Sequence, residues 1–86
     1  MKGRTNTGFE IEIDDVRVDD IRVIDAIVDV EDGNIGGISR LIRLLFTPEQ
    51  ISSFYAHLKK EYGALKIEDV SREVFEILNG DTETKN

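Results

Sequence analysis

Cysteine and tryptophan are absent from this 86-residue chain, and proline occurs once, at Pro48. Without cysteine, neither a disulfide nor a thiolate-bound metal can form, which is compatible with a reducing cytosol. No apolar run approaches the roughly 20 residues of a membrane span, and residues 1–7 lack the apolar run of a signal peptide. We therefore expect a cytoplasmic protein without a membrane partner.

Basic side chains are also scarce, with 11 Lys and Arg against 18 Asp and Glu and a net charge of −7. Direct binding to nucleic acid is not expected, because Lys and Arg supply most of the affinity for phosphates. The length suits a single domain, predicted over 1–80, and a domain this small buries only about 60% of the surface of its unfolded chain. Residues 81–86 are predicted to be a flexible tail.

Charge is sorted along the chain. From Phe9 to Asp32 there are ten acidic and two basic side chains, whereas Arg40 to Lys60 holds four basic and one acidic. An isolated protomer gains nothing obvious from this arrangement, because interspersed charges repel each other less. The sorting therefore indicates a partner or a second copy of the chain.

A short β-hairpin is predicted at the N-terminus, over about 2–13. Phe9, Ile11 and Ile13 alternate with glutamates, which is the period-2 pattern of a half-buried strand, and a turn-like Asn-Thr-Gly precedes them. A two-stranded ribbon is marginal alone in water, so the hairpin is expected to pack on the helices that follow.

About four helices are predicted after the hairpin, over 20–31, 36–46, 48–62 and 67–79. Thr47-Pro48-Glu49-Gln50 has the capping-box pattern of a helix N-terminus, and Gly63 and Gly80 are C-terminal stops. The segment 20–31 is also compatible with a strand, because its apolar residues are mostly β-branched. The predicted fold class is mainly α: a short N-terminal hairpin and about four helices in one small bundle.

The polar residues form no recognisable catalytic, metal or cofactor site in the sequence. His57 and Glu61, at i and i+4, could hold a metal only weakly, and two ligands without a third are not a site, which favours a solvated surface histidine. The aspartates around Gly33 fail the spacing of a calcium loop, and Gly36-Gly37 is too short for a phosphate loop and suits a flexible joint. No catalytic residue, metal or cofactor is expected, and the chain is predicted not to be an enzyme.

Apolar residues are the stronger candidates, as protein-interaction residues. Val23 and Val30 belong to the helix at 20–31, whose apolar arc is wider than a surface helix needs. Leu44 and Phe75 lie off the predicted core stripes of their helices. These four residues are the predicted interaction residues.

The run Thr-Gly-Phe-Glu-Ile-Glu-Ile-Asp from Thr7 to Asp14, followed by Asp19-Asp20 at a helix start, resembles the beginning of small tail assembly chaperone-like proteins of siphophages and prophages. The order of later elements is also similar: a loop at Gly33-Asn34, Leu44-Leu45, an amphipathic helix closed near Gly63, a final helix over 67–78 and a tail ending in Lys85-Asn86. The resemblance covers nearly the whole chain but rests on layout and short motifs. It departs in the first helix, where the family favours leucine and alanine over valine and isoleucine.

The resemblance implies a non-enzymatic protein of the infected or lysogenic bacterial cell that self-associates as a homo-oligomer. Such a protein binds the tape measure protein and keeps it soluble until the tail tube polymerises. Two alternatives stay open: an acidic inhibitor or DNA mimic whose carboxylates between Asp14 and Asp32 stand in for phosphates, and a small structural virion component. The family has no motif that assigns a role to an individual residue.

Overall fold

The computed structural model describes residues 1–79, in which a two-stranded antiparallel hairpin is followed by five helices; 66% of these described residues are helical. The elements are β1 Lys2–Arg4, β2 Glu10–Glu12, α1 Asp15–Val18, α2 Ile21–Glu31, α3 Gly36–Leu45, α4 Pro48–Tyr62 and α5 Ile67–Leu78. The predicted fold class is confirmed, with one helix more than the four expected. Gly80 and the predicted tail lie outside the described residues.

The hairpin packs on α5, as its weak intrinsic stability requires. Gly3 pairs with Ile11 in the antiparallel register, and both residues are buried. A Cβ atom on Gly3 would lie 2.5 Å from Cγ2 of Ile77, a distance that real Cβ atoms do not adopt. Glycine at this position therefore lets β1 lie directly against α5.

The additional helix is the four-residue α1, which is too short for its period to be recognised in the sequence. The N-terminal ammonium of Met1 lies 2.8 Å from a carboxylate oxygen of Asp15 and lowers the pKa of that carboxyl group. Arg17 directs its guanidinium to the backbone carbonyl oxygen of Leu44, 3.4 Å away. These contacts tie α1 to the hairpin and to the end of α3.

The segment 20–31, for which a strand was the alternative, forms helix α2 from Ile21 to Glu31, so the strand alternative is wrong. Asp20 is the N-cap: its side chain accepts a hydrogen bond from the backbone N–H of Arg22 at 2.9 Å. Hydrogen bonds from the Arg22 side chain and backbone lower the pKa of Asp20 to about 2. Gly33, with φ of +91°, ends the helix. Packing of Val23 and Ala26 in the core overrides the weak helix propensity of the β-branched residues.

Gly37 belongs to the contact between α2 and α3, and the predicted flexible joint at Gly36-Gly37 is wrong. Gly37 is buried in the first turn of α3, where a Cβ atom would lie 2.7 Å from the carbonyl oxygen of Ala26 and 2.9 Å from Cγ2 of Val30. The glycine permits close approach of the two helices, so that α2 packs directly against the first turn of α3.

The start of α4 has the predicted capping box. Thr47 Oγ1 accepts from the Gln50 backbone N–H at 3.2 Å, and Gln50 Oε1 accepts from the Thr47 N–H at 3.0 Å. Gly63 ends the helix with φ of +77°. Phe54 of α4 packs edge-on to Phe46 at a centroid distance of 5.4 Å in the centre of the core. Across residues 1–79, every helix falls short of the length and apolarity that crossing a bilayer requires.

Candidate functional site: two apolar surfaces and a buried carboxylate

Large apolar side chains remain exposed on the surface of residues 1–79. Seven of them are at least 45% exposed: Val16, Ile21, Ile24, Val28, Ile35, Leu65 and Ile67. Single exposed apolar residues are ordinary in proteins, whereas residues that share one face or one groove point to a binding surface. Six of these seven fall into two such surfaces.

The first surface is the α2 stripe, which we define as Ile21, Ile24 and Val28. Their exposed fractions are 68%, 57% and 45%, and their spacing of i, i+3 and i+7 places them on one face of the helix. Ala26 and Val30, which contact Gly37 of α3, lie about 170° away at 100° per residue. The stripe therefore faces away from the core.

Acidic side chains flank the α2 stripe. Asp25 lies roughly 70° from the centre of the stripe on one side and Glu31 roughly 50° on the other, and Asp32 follows at the C-cap. All three are exposed, and none forms an ion pair with another residue of the described chain. Asp29, by contrast, is neutralised by an ion pair with Arg40 of α3.

The second surface is the α3–α5 groove, a depression of about 250 Å³. It is lined by Ile35, Ile38, Ser39, Ile42, Tyr55, Leu65, Ile67 and Val70. Ile35, Leu65 and Ile67 are the exposed apolar members, and they form the apolar part of the lining that a ligand would newly bury. Ser39 is exposed as well. A groove between helices with a mostly apolar lining suits the apolar face of another helix.

Basic residues neighbour the lining residues of the α3–α5 groove along the chain. Arg43 directly follows a lining residue of α3, Lys59 lies one turn after the lining tyrosine of α4, and Lys66 lies between two lining positions. All three are exposed, and none forms an ion pair or side-chain hydrogen bond with another of residues 1–79. Glu68 and Asp69 lie between the two lining residues of α5 in the sequence, but each is roughly 130° round the helix from the groove face, and Asp69 forms an ion pair with Arg72.

The predicted interaction residues occupy different positions from these surfaces. Val23 is only 4% exposed and lies in the core, so its side chain is not available to a partner in this fold. Val30, Leu44 and Phe75 are half-buried and pack against the core cluster. The sequence signal for the α2 stripe was the wide apolar arc of the helix, but the arc alone does not show which side faces the core.

A buried carboxylate joins the hairpin to α4 and α5. The side chain of Glu73 is fully buried, with Tyr62 donating its hydroxyl proton to Oε2 at 2.5 Å. Thr7 Oγ1 lies 2.9 Å from both carboxylate oxygens, so it donates its single proton to the same group. The hydrogen bond to Glu73 raises the pKa of Tyr62, because it stabilises the protonated phenol.

His57 also belongs to this network, and its predicted position as a solvated surface residue is wrong. It is half-buried under the hairpin, with Nε2 2.8 Å from Thr7 Oγ1 and its ring 5.4 Å from that of Phe9. In hydrolase triads the carboxylate binds the histidine and the histidine takes the hydroxyl proton. Here the carboxylate binds the hydroxyl group directly, which differs from the arrangement of a triad, and the contacts of the three residues connect the hairpin with α4 and α5.

Glu73 could have been found in the sequence, because it lies on the apolar stripe of α5 between Val70 and Ile77. A charged residue at a core position signals a buried partner, although the sequence does not identify that partner as Thr7 and Tyr62. No three His, Asp or Glu side chains of residues 1–79 are grouped to hold a metal ion.

Comparison of the chain with protein-family models, with curated proteins and with solved structures finds no match.

Proposed function

We propose that this protein is a non-enzymatic assembly chaperone that binds amphipathic helices of a long client in its α3–α5 groove. The client implied by the resemblance is the tape measure protein of a phage or prophage tail, in the cytoplasm of the bacterial host. The observation that carries the proposal is the apolar groove, in which the exposed apolar side chains of Ile35, Leu65 and Ile67 share one concave surface.

Groove shape and charge suit a helical client. An amphipathic helix places residues at i, i+3, i+4 and i+7 in an apolar groove, and its polar face stays in water. Basic residues at Arg43, Lys59 and Lys66 favour a helix whose apolar face is flanked by acidic side chains. A small groove and exposed charges give reversible binding, as a chaperone that must release its client requires.

Self-association as a homo-oligomer is the second part of the proposed function. The α2 stripe leaves a second apolar face unpartnered, and a domain of this size gains stability by burying more surface. Binding of the client and binding of a second copy are separate properties, and each has its own experiment.

The test is a solubility assay with the full chain and an aggregation-prone helical fragment of a tape measure protein. The fragment is diluted from denaturant with and without the chain, and the fraction left in the supernatant is measured after centrifugation. We expect the wild-type chain to keep the fragment soluble. A Leu65→Ser, Ile35→Ser variant should need about a tenfold higher concentration to keep the same fraction of the fragment soluble, because it lacks two apolar side chains that anchor the client in the groove.

Val16→Ser is the matched control, because Val16 is 78% exposed and belongs to neither surface. It should protect the fragment as well as the wild type. Equal aggregation of the fragment with and without the wild-type chain would contradict the proposed function.

An acidic inhibitor is the second candidate, favoured by the exposure of eight of the ten acidic side chains between Phe9 and Asp32. This function requires binding to a basic, DNA-binding protein. Such binding would disappear in moderate salt and would be unaffected by the Leu65→Ser, Ile35→Ser substitutions. Client binding in the groove should instead persist in moderate salt and be weakened by these substitutions.

A further inference from the structure

The α2 stripe and the α3–α5 groove are complementary in chemistry. The stripe is a ridge of three β-branched side chains on a helix of 11 residues, about 16 Å long at 1.5 Å per residue. The groove is a concave apolar surface contributed by α3, α4 and α5. A convex apolar ridge and a concave apolar groove are complementary surfaces.

Charge complementarity identifies the occupant. Three acidic residues without ion-pair partners in the described chain flank the stripe, namely Asp25, Glu31 and Asp32. Three basic residues, also without such partners, are next to lining residues of the groove or one helical turn from them: Arg43, Lys59 and Lys66. Opposite charges around an apolar contact set its orientation and accelerate association.

One copy cannot fill its own groove with its own stripe. The opposite side of α2 packs against α3 at Gly37. A Cβ atom built on Gly37 would lie only 2.7 Å from the carbonyl oxygen of Ala26. The stripe therefore faces away from α3, the helix that contributes Ile38 and Ile42 to the groove. A stripe can enter this groove only from a second molecule.

We infer that the α2 stripe of one copy docks in the α3–α5 groove of a second copy and joins the copies head to tail. This inference rests on the self-association in the proposed function and assigns its two surfaces. Because the surfaces differ, the contact is heterologous and repeats into a ring or an open chain. A client helix with acidic flanks then competes with the stripe for the same groove.

The experiment measures solution mass by light scattering and sedimentation over a range of concentrations, at low and at high salt. The stripe variant is Ile24→Ser, Val28→Ser, and the groove variant is Leu65→Ser, Ile67→Ser. All four positions are at least 45% exposed, so folding should survive, and circular dichroism and thermal melting verify it. We expect each variant alone to associate about tenfold or more weakly than the wild type.

Mixing the two variants is the decisive step. The stripe variant retains an intact groove and the groove variant an intact stripe, so an equimolar mixture should form a capped 1:1 dimer. Val16→Ser should associate like the wild type. Asp25→Lys added to the groove variant, whose stripe is intact, should weaken the mixed dimer. Lys66→Asp added to the stripe variant, whose groove is intact, should then restore it.

A mixture that stays monomeric while the wild type associates would overturn the head-to-tail contact, because a symmetric interface gives no such complementation. A wild-type chain that is monomeric at every concentration would also overturn it. Neither result changes the outcome expected in the client solubility assay. Failure of the client assay likewise does not change the outcome expected when the two variants are mixed. The two proposals therefore fail separately.

Discussion

Replacing Glu73 by glutamine should destabilise the protein by about 1–3 kcal/mol, the range for disrupting hydrogen bonds to a buried charged group. The carboxylate accepts from both Tyr62 and Thr7, and both of its oxygens are used. A glutamine retains one acceptor oxygen and presents an NH2 group in place of the other. One of the two hydroxyl donors therefore loses its acceptor, or shares the remaining one. For a chain of this length the total free energy of unfolding is roughly 4–13 kcal/mol, so the loss is a large fraction of it.

Urea denaturation followed by circular dichroism measures this loss, and thermal melting should show a drop of about 4–8 °C per kcal/mol. Glu68→Gln is the matched control: Glu68 is exposed on the same helix, and its effect should stay within about 0.5 kcal/mol. Tyr62→Phe alone and together with Glu73→Gln completes a double-mutant cycle. A coupling energy below about 0.3 kcal/mol would refute the hydrogen bond between the two residues.

Three further predictions concern titration, helix packing and capping. In an absorbance titration of a Tyr55→Phe variant, Tyr62 should titrate at a higher pH in the folded chain than in the urea-unfolded chain, because its folded pKa is raised. The stability that this raised pKa contributes is full below pH about 10 and is lost as pH rises through the folded value; identical titration curves for the folded and unfolded chains would contradict the prediction. Gly37→Ala should cost about 1–2 kcal/mol by urea denaturation because its Cβ atom would overlap Ala26, whereas Gly36→Ala should be neutral or stabilising. Thr47→Ala should cost about 1 kcal/mol in the same assay, since the α4 N-cap loses its acceptor.

Local signals in the sequence were sufficient for the elements whose ends are determined by side-chain chemistry. The capping box predicted the start of α4, and Gly63 its end, because both depend on residues within one turn. The hairpin followed from strict alternation of apolar and acidic residues. These features need no knowledge of the rest of the chain.

Features that depend on distant residues could not be predicted in the same way. The role of Gly37 depends on α2 passing within van der Waals distance, and that of His57 on the hairpin folding over α4. The sequence shows neither approach. The candidate surfaces lie between these cases: the excess of apolar residues in α2 was visible, but packing of Ala26 and Val30 on α3 determines that Ile24 and its neighbours are the exposed set.

The composition of the α2 stripe is itself an argument for a binding role. Isoleucine and valine at exposed helix positions are less favourable than alanine, glutamate or lysine by a few tenths of a kcal/mol each, because the preceding turn restricts their χ1 angle. Exposure of 68% at Ile21 and 57% at Ile24 recovers little of the free energy that burial would supply. The isolated protomer would be at least as stable with polar residues at both positions. Stiff, branched side chains lose little rotamer entropy on contact with another surface, so these residues suit docking better than they suit folding.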